Sequence, residues 1–414
     1  MSDLRPPGLI SGQTDSGVRY SIWPDRRDTV AAVQTWVRTG TADEPRGRSG
    51  IAHMLEHMMF RGTERVPDGE FDALAEELGL YVNAATWLDY TFYTAVGPGD
   101  AMPRLIALEG DRFANISVAE TAFAPERDVV ANERRQVVDA VPESLLGERF
   151  HCALFDGTSY AWPTIGSAED IAAYDAAAIR AFHRAHYTGD RVHVVVTGNV
   201  DADEVEATIR GAFAALPPRG VGERRRESNG LERQTTIPLA LASPRVLIGW
   251  RTPARTDASW PAWTVLEELL AAAESSRLTQ RLEYDDRLVL DIGSALYALR
   301  EPSALELSLT LRRGVRPDDA IAALMDELAL LAEEGPDEDE LAGARARVRT
   351  SHASSMSETA GRAESLGESW AISGDPFLGL ALPPEVARVG AEDVAALAAS
   401  LRDTEPVVYI GVPA

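Results

Sequence analysis

The chain has a single cysteine, Cys152, in 414 residues. One thiol excludes an intrachain disulfide and any cysteine-built metal cluster, and it points to a reducing compartment. Cationic residues are also in deficit. Forty Lys and Arg face 65 Asp and Glu, for a formal net charge of -25. Such a surface repels polyphosphate, which argues against a nucleic-acid partner. The start, MSDLRPPGLISG, lacks a basic segment followed by an apolar one and does not read as a signal peptide. No apolar run approaches membrane-spanning length. A cytoplasmic protein with no membrane partner is the expectation. Phosphate-cradling glycine loops and Ser-His-Asp patterns are missing as well, so nucleotide chemistry and serine catalysis have no support.

What is present is ordinary globular material, 45% hydrophobic and 25% charged, enough for two or three domains. Strand-like runs at 18–23 and 30–37 flank a turn at 24–28. A glycine-rich loop, 40–50, leads into a helical pattern from Ile51 to about Phe60. A helix at 69–79, a strand pair over 81–95 turning near Leu88-Asp89, helices at about 101–116 and 124–140, and a buried strand at 193–198 follow. A charged stretch from Arg219 to Thr236 reads as a linker. Strands at 246–250, 304–311 and 407–412, with a helix at 263–273 and alanine-rich helices, repeat the plan. The expected fold is α+β, with two layered domains, 1–217 and 237–414, joined by a linker over 218–236. Residues 51–57 can be laid over 262–268 without their histidines, which points to a duplicated domain that has lost one site.

The chemistry lies in His53-Met54-Leu55-Glu56-His57. Histidines four apart project from one helix face and can converge on one zinc ion (Zn2+). Glu56 shares that face and suits the base that takes a proton from an attacking water and passes it to the leaving amine. Two histidines leave a catalytic zinc one protein ligand short. Glu126 and Glu133, seven apart on one predicted helix, share a face; either can turn to the metal while the other orients a ligand histidine. Among the other histidines, His183 and His186 read as surface or helix-end residues, and His151, His193 and His352 carry no ligand pattern. The tryptophans at 36, 87, 162 and 250 read as core or interface residues.

The segment GIAHMLEHMMFRGT resembles the inverted zinc motif of the M16 (pitrilysin-like, inverzincin) metallopeptidases. Asn83-Ala84-Ala85-Thr86 with Asp89-Tyr90-Thr91 is similar to the family's substrate-side edge strand, and Glu109-Gly110-Asp111-Arg112 to its E-x-D-R helix. The segment 126–135 resembles the one carrying the third ligand; residues 160–166, 197–200 and 275–278 match as well. The resemblance implies Glu133 as ligand, Glu126 as supporting carboxylate, and substrate contacts at Asn83, Ala84 and Ala85. It also implies two homologous layered domains of mostly antiparallel sheet flanked by helices (a LuxS/MPP-like fold). One departure stands out. Where the family's second half usually reads Q-x-L-R-x-x-x-G-L-A-Y, this chain has Glu283 at the Arg position and Leu290 at the Tyr position. Short M16 members pair two chains around a closed chamber, and in some the zinc and the Arg/Tyr pair lie on different subunits. The resemblance therefore implies a zinc endopeptidase subunit (M16B-like) that acts on peptides with a homologous partner carrying that pair. A homodimer is the alternative pairing, and a non-catalytic structural or peptide-binding subunit is the alternative role.

Overall fold

The structure is a computed structural model; it describes residues 4–220, 224, 226 and 228–414. It divides into two compact units. The first holds residues 4–134, 162–226 and 355–380 of those described; the second holds 135–161, 227–354 and 381–414. The parts of the charged run at 221–223, 225 and 227 lie outside the described residues.

The first unit is built on a six-stranded sheet. Its strands are β1 (Ile10–Gln13), β2 (Arg19–Pro24), β3 (Ala31–Val37), β4 (Tyr81–Thr86), β5 (Thr91–Gly97) and β6 (Val192–Gly198), in the order β1-β2-β6-β3-β5-β4. β2 and β6 run parallel and every other pair is antiparallel. Central strands β3 and β6 are buried at every residue, as continuous runs such as Val194-Val195-Val196 require. β4 lies at the sheet edge and alternates exposed with covered residues until Thr86.

The second unit repeats this plan with one strand fewer. Its strands are β7 (Gln234–Leu239), β8 (Arg245–Thr252), β9 (Val289–Tyr297), β10 (Ser303–Leu311) and β11 (Val407–Pro413), in the order β7-β11-β8-β10-β9. Here β7 and β11 are the parallel pair, and the rest are antiparallel. The orders superimpose as β2/β7, β6/β11, β3/β8, β5/β10 and β4/β9, so β9 is the edge strand corresponding to β4. The overall architecture is thus a two-domain assembly of helices on mixed, open sheets. β7 begins at Gln234, inside the stretch read as a linker, and β9 was not anticipated at all. Arg224, also from that stretch, pairs with the buried carboxylate of Asp89 at 2.6 Å.

Each unit takes one helix from the other half of the sequence. Helix Thr359–Ser373 packs on β3 and β6 in the first unit, and helix Pro142–Leu154 packs on β11 and β8 in the second. Close packing explains the first pairing. A Cβ on Gly367 would lie 2.0 Å from the indole nitrogen of Trp36, so only glycine lets that helix settle on β3. Trp36 in turn stacks on Phe92 with ring centroids 4.5 Å apart. In the second unit Phe150 is fully buried against Tyr409, and Arg251 Nε donates to the Leu154 carbonyl at 2.7 Å. A buried phenylalanine of this kind contributes about 1.5–3 kcal/mol.

His183 and His186 lie in the last turn of their helix, as the helix-end reading has it, but both are buried, not at the surface. They lie on the inner face of helix Ala176–His186, where His183 Nε2 is 3.0 Å from the Phe113 carbonyl. Trp36 and Trp250 are core residues, whereas Trp87, in the β4–β5 turn, is 45% exposed. Among the described residues no helix is long and apolar enough to cross a membrane.

Candidate metal centre and active site

Helix Ile51–Met58 carries the motif, and its sequence explains its setting. Ile51, Ala52, Met54, Leu55 and Met58 form the buried face, while His53, Glu56 and His57 are partly covered. Gly50, at φ 84°, turns the chain into the helix. The buried carboxylate of Glu44 accepts from the Gly50 N–H at 2.9 Å and from the Ala52 N–H at 3.0 Å. An anion placed there satisfies free N–H groups and favours the helix dipole. Nothing in the sequence pattern singled out Glu44, because its contact depends on how the 40–50 loop folds back.

The structure brings the histidine pair together with a carboxylate that has 75 residues between it and His57 in the sequence. One ligand atom from each of His53, His57 and Glu133 lies within 4.8 Å of the other two. Glu133 Oε2 is 3.4 Å from His57 Nε2 and 3.8 Å from His53 Nε2. A tetrahedral ion with bonds of about 2.0–2.1 Å keeps its donors about 3.3–3.4 Å apart. His53 Nδ1 is buried without a hydrogen-bond partner, so neither ring nitrogen of His53 has a conventional bond. Two imidazoles and a carboxylate converging with Glu133 Oε2 at 3.4 and 3.8 Å from the two Nε2 atoms fit a divalent cation, and this donor set suits zinc.

Glu126 takes the supporting position. Its Oε1 lies 2.8 Å from His57 Nδ1, and because a carboxylate only accepts, that nitrogen carries the proton. His57 Nε2 is thereby left facing Glu133. Arg61 Nε donates to the other Glu126 oxygen at 2.6 Å. Charges follow the contacts. Burial, and then the neighbouring His57, pull His53 down to about 4, so it is neutral at pH 7. Burial would also lower His57, but its bonds to Glu126 and Glu133 outweigh that and hold it up at about 9. The hydrogen bond from His57 keeps Glu133 below the usual carboxylate range. Burial opposes ionisation of Glu126, yet His57 and Arg61 keep it low as well.

Glu56 is mostly buried, which raises its pKa, and the Thr86 hydroxyl partly offsets this by donating to Oε2 at 2.6 Å. Thr86 belongs to edge strand β4, so the base candidate and the sheet edge are in direct contact. The Trp87 N–H bonds the Tyr90 carbonyl at 2.8 Å; by antiparallel alternation the N–H groups of Ala84 and Thr86 point away from β5, and the Ala84 N–H donates to the Asn83 side-chain oxygen at 2.9 Å. Asn83 and Ala85 are exposed and Ala84 half-buried. The Glu109–Arg112 pair, at 2.6 Å, is buried under the rings of Phe60, Phe71 and Tyr93 and serves the core.

The second unit keeps this frame without imidazoles. Helix Trp260–Leu270 repeats the burial pattern of 51–59 over 262–270. Glu267 stands where Glu56 does and accepts from Ser294 on β9 at 3.1 Å. Glu268 stands at the His57 position and binds Arg347 Nε at 2.8 Å. Arg347 lies seven residues after Glu340, as Glu133 lies seven after Glu126, and Arg277 holds Glu340 as Arg61 holds Glu126. An ion pair thus stands where the first unit gathers its candidate metal ligands. Further along, Arg287 has a left-handed backbone, φ 54°, at the position where the M16 pattern has glycine. In that register Glu283 and the half-exposed Leu290 occupy the Arg and Tyr positions, and Arg281 is held by Glu327, Asp326 and Asp286.

Comparison with known proteins agrees with this geometry. Residues 23–168 match the family described as Insulinase (Peptidase family M16), and residues 173–348 match the Peptidase M16 inactive domain. A protein named as an uncharacterized zinc protease from Mycobacterium tuberculosis (strain H37Rv) is 30% identical over 344 residues, 82% of this chain and 78% of that one. A protease from Helicobacter pylori shares the fold with a TM-score of 0.89 and 24% identity, over 98% of this chain and 100% of that one. The periplasmic protease PqqL from Escherichia coli matches with a TM-score of 0.79 and 21% identity, over 99% of this chain but 48% of its own. With both halves matched and relatives that bear the name zinc protease, the chain belongs to peptidase family M16.

Proposed function

We propose that the chain is the zinc-bearing subunit of a metalloendopeptidase that cuts peptides or unstructured segments inside a two-subunit chamber. The observation that carries this reading is the meeting of His53, His57 and Glu133 beside the half-buried carboxylate of Glu56. In this reading residues 1–217 hold the reaction centre, and residues 237–414 form a homologous domain without a metal.

His53, His57 and Glu133 would hold the ion, with Glu126 fixing the tautomer of His57. When bound, zinc would acidify an attacking water and polarise the scissile carbonyl. Glu56 takes the water's proton at its carboxylate and returns it to the departing amine. Asn83, Ala84 and Ala85 offer an open strand edge to which an extended peptide adds as a further strand. That edge lies on the strand that also contacts Glu56, so a docked backbone runs past the base.

Charge that develops on the carbonyl oxygen needs a donor, and Glu283 and Leu290 supply none. A homologous partner with the Arg/Tyr pair completes the site, and a homodimer is the other pairing. The same lack favours a second reading, a peptide-binding or structural subunit. One cysteine and no disulfide fit a cytoplasmic enzyme.

The test is metal analysis of the purified chain with cleavage of a quenched-fluorescence peptide, by the chain alone and with its partner. One zinc per chain is expected, with activity in the pair that Glu56→Gln abolishes while zinc stays bound. A chain that binds no zinc ends the proposal. Full activity from the isolated chain removes the partner, and a zinc-loaded pair that cuts nothing favours the second reading.

A further inference from the structure

Resting on the reading above, we infer that Thr86 positions Glu56, so that the strand that docks the peptide also aims the base. Thr86 is buried, and its hydroxyl lies 2.6 Å from Glu56 Oε2. The direction of that bond is settled by its neighbour. Thr91 Oγ1 gives its proton to the Thr39 carbonyl at 3.0 Å, and Glu56 is ionised when it acts as base, so Thr86 is the donor.

Thr86 itself has little freedom. It is β-branched, hence stiff at χ1, and it pairs with Thr91 at the last rung of the β4–β5 hairpin. The turn beyond is pinned by the Thr41 N–H on the Trp87 carbonyl at 3.1 Å and the Ala42 N–H on the Leu88 carbonyl at 2.9 Å. A rigid strand therefore grips the carboxylate two residues from Ala84, whose N–H points away from β5. Peptide backbone and base share one frame, and misplacement of a reacting group by about 1 Å can cost about 100-fold in rate.

The second unit shows that this grip does not depend on metal ligands. Ser294, on the corresponding edge strand, holds Glu267 although both histidines are replaced, by Thr264 and Glu268. Loss of the Thr86 hydroxyl should accordingly spare the metal centre, and serine should replace threonine.

Thr86→Val and Thr86→Ser, made in the full-length chain and assayed with its partner on the quenched peptide, decide the matter. Zinc content and thermal midpoint are read alongside. Thr86→Val is expected to lower kcat about 10–100-fold with KM within about twofold, at unchanged zinc content. Thr86→Ser is expected to keep kcat within about threefold of the parent. A parental kcat in Thr86→Val, a rise in KM alone, or a Thr86→Ser as impaired as Thr86→Val would each overturn the role. A parent without zinc or cleavage instead brings down the reading beneath it, and the inference with it.

Discussion

His57 Nδ1–H donates to Glu126 across 2.8 Å, and that bond turns Nε2 toward Glu133. The carboxylate thus sets both the tautomer and the ring plane of a proposed metal ligand, from outside the ligand set.

Replacing Glu126 by Gln keeps the shape and removes the charge. Zinc affinity should drop about 10–100-fold, read by competition with a chromophoric chelator. Circular dichroism should show an intact fold. Parental affinity in this variant would mean that His57 is oriented by packing alone.

Gly50→Ala should damage the centre through the backbone. The residue has φ 84°, and a Cβ would sit 2.0 Å from the Ile165 carbonyl oxygen. Left-handed strain of about 1 kcal/mol adds to that clash. A lower thermal midpoint and reduced zinc occupancy are expected together. A variant with both at parental values would show that the 40–50 loop can shift freely.

Three buried histidines and the half-buried His151, all away from the centre, make the fold acid-sensitive. Burial pulls His151, His183 and His186 down to about 4 and His193 to about 3. Unfolding lets each take up a proton near its ordinary value of about 6.5, so the unfolded state binds more protons between those limits. Their stabilising effect is complete above about pH 6.5 and fades as pH falls toward 4. Each group costs about 2 kcal/mol by pH 5. Urea midpoints should fall steeply from pH 7 to pH 5, and less steeply in His193→Gln. A flat profile would contradict the burial of these rings.

Arg347→Met should loosen the second unit without touching zinc. It breaks the Glu268–Arg347 pair, which is partly exposed, for an expected loss of about 1 kcal/mol. Hydrogen exchange should rise in helix Glu338–Ser357 while zinc content stays at the parental level. Loss of zinc in this variant would refute the separation of the two sites.

Local chemistry was legible in the sequence, and non-local partners were not. The 53–57 spacing fixes a helix face, and the 126–133 spacing fixes another, so the sequence points to their residues as candidates for one centre. Thr86 was visible only as part of a strand pattern, because its bond to Glu56 spans 30 residues and depends on sheet register. Glu44 escaped notice because its contacts with Gly50 and Ala52 depend on how the 40–50 loop folds back. His183 and His186 looked polar enough for the surface, but their helix turns its inner face to the core. β9 was missed because an edge strand with only Val289 fully buried offers little alternation to read. Nothing in Pro142–Leu154 or Thr359–Ser373 says which sheet each will cover, since apolar helix faces are interchangeable until a contact such as Gly367 on Trp36 selects one.

That exchange of helices has a consequence for how such a chain can be divided. Severing the polypeptide between residues 217 and 237 would leave each fragment with a bare sheet surface and one surplus apolar rod, complementary to what the other fragment has exposed. Each piece would therefore lack a covering helix that the other piece carries.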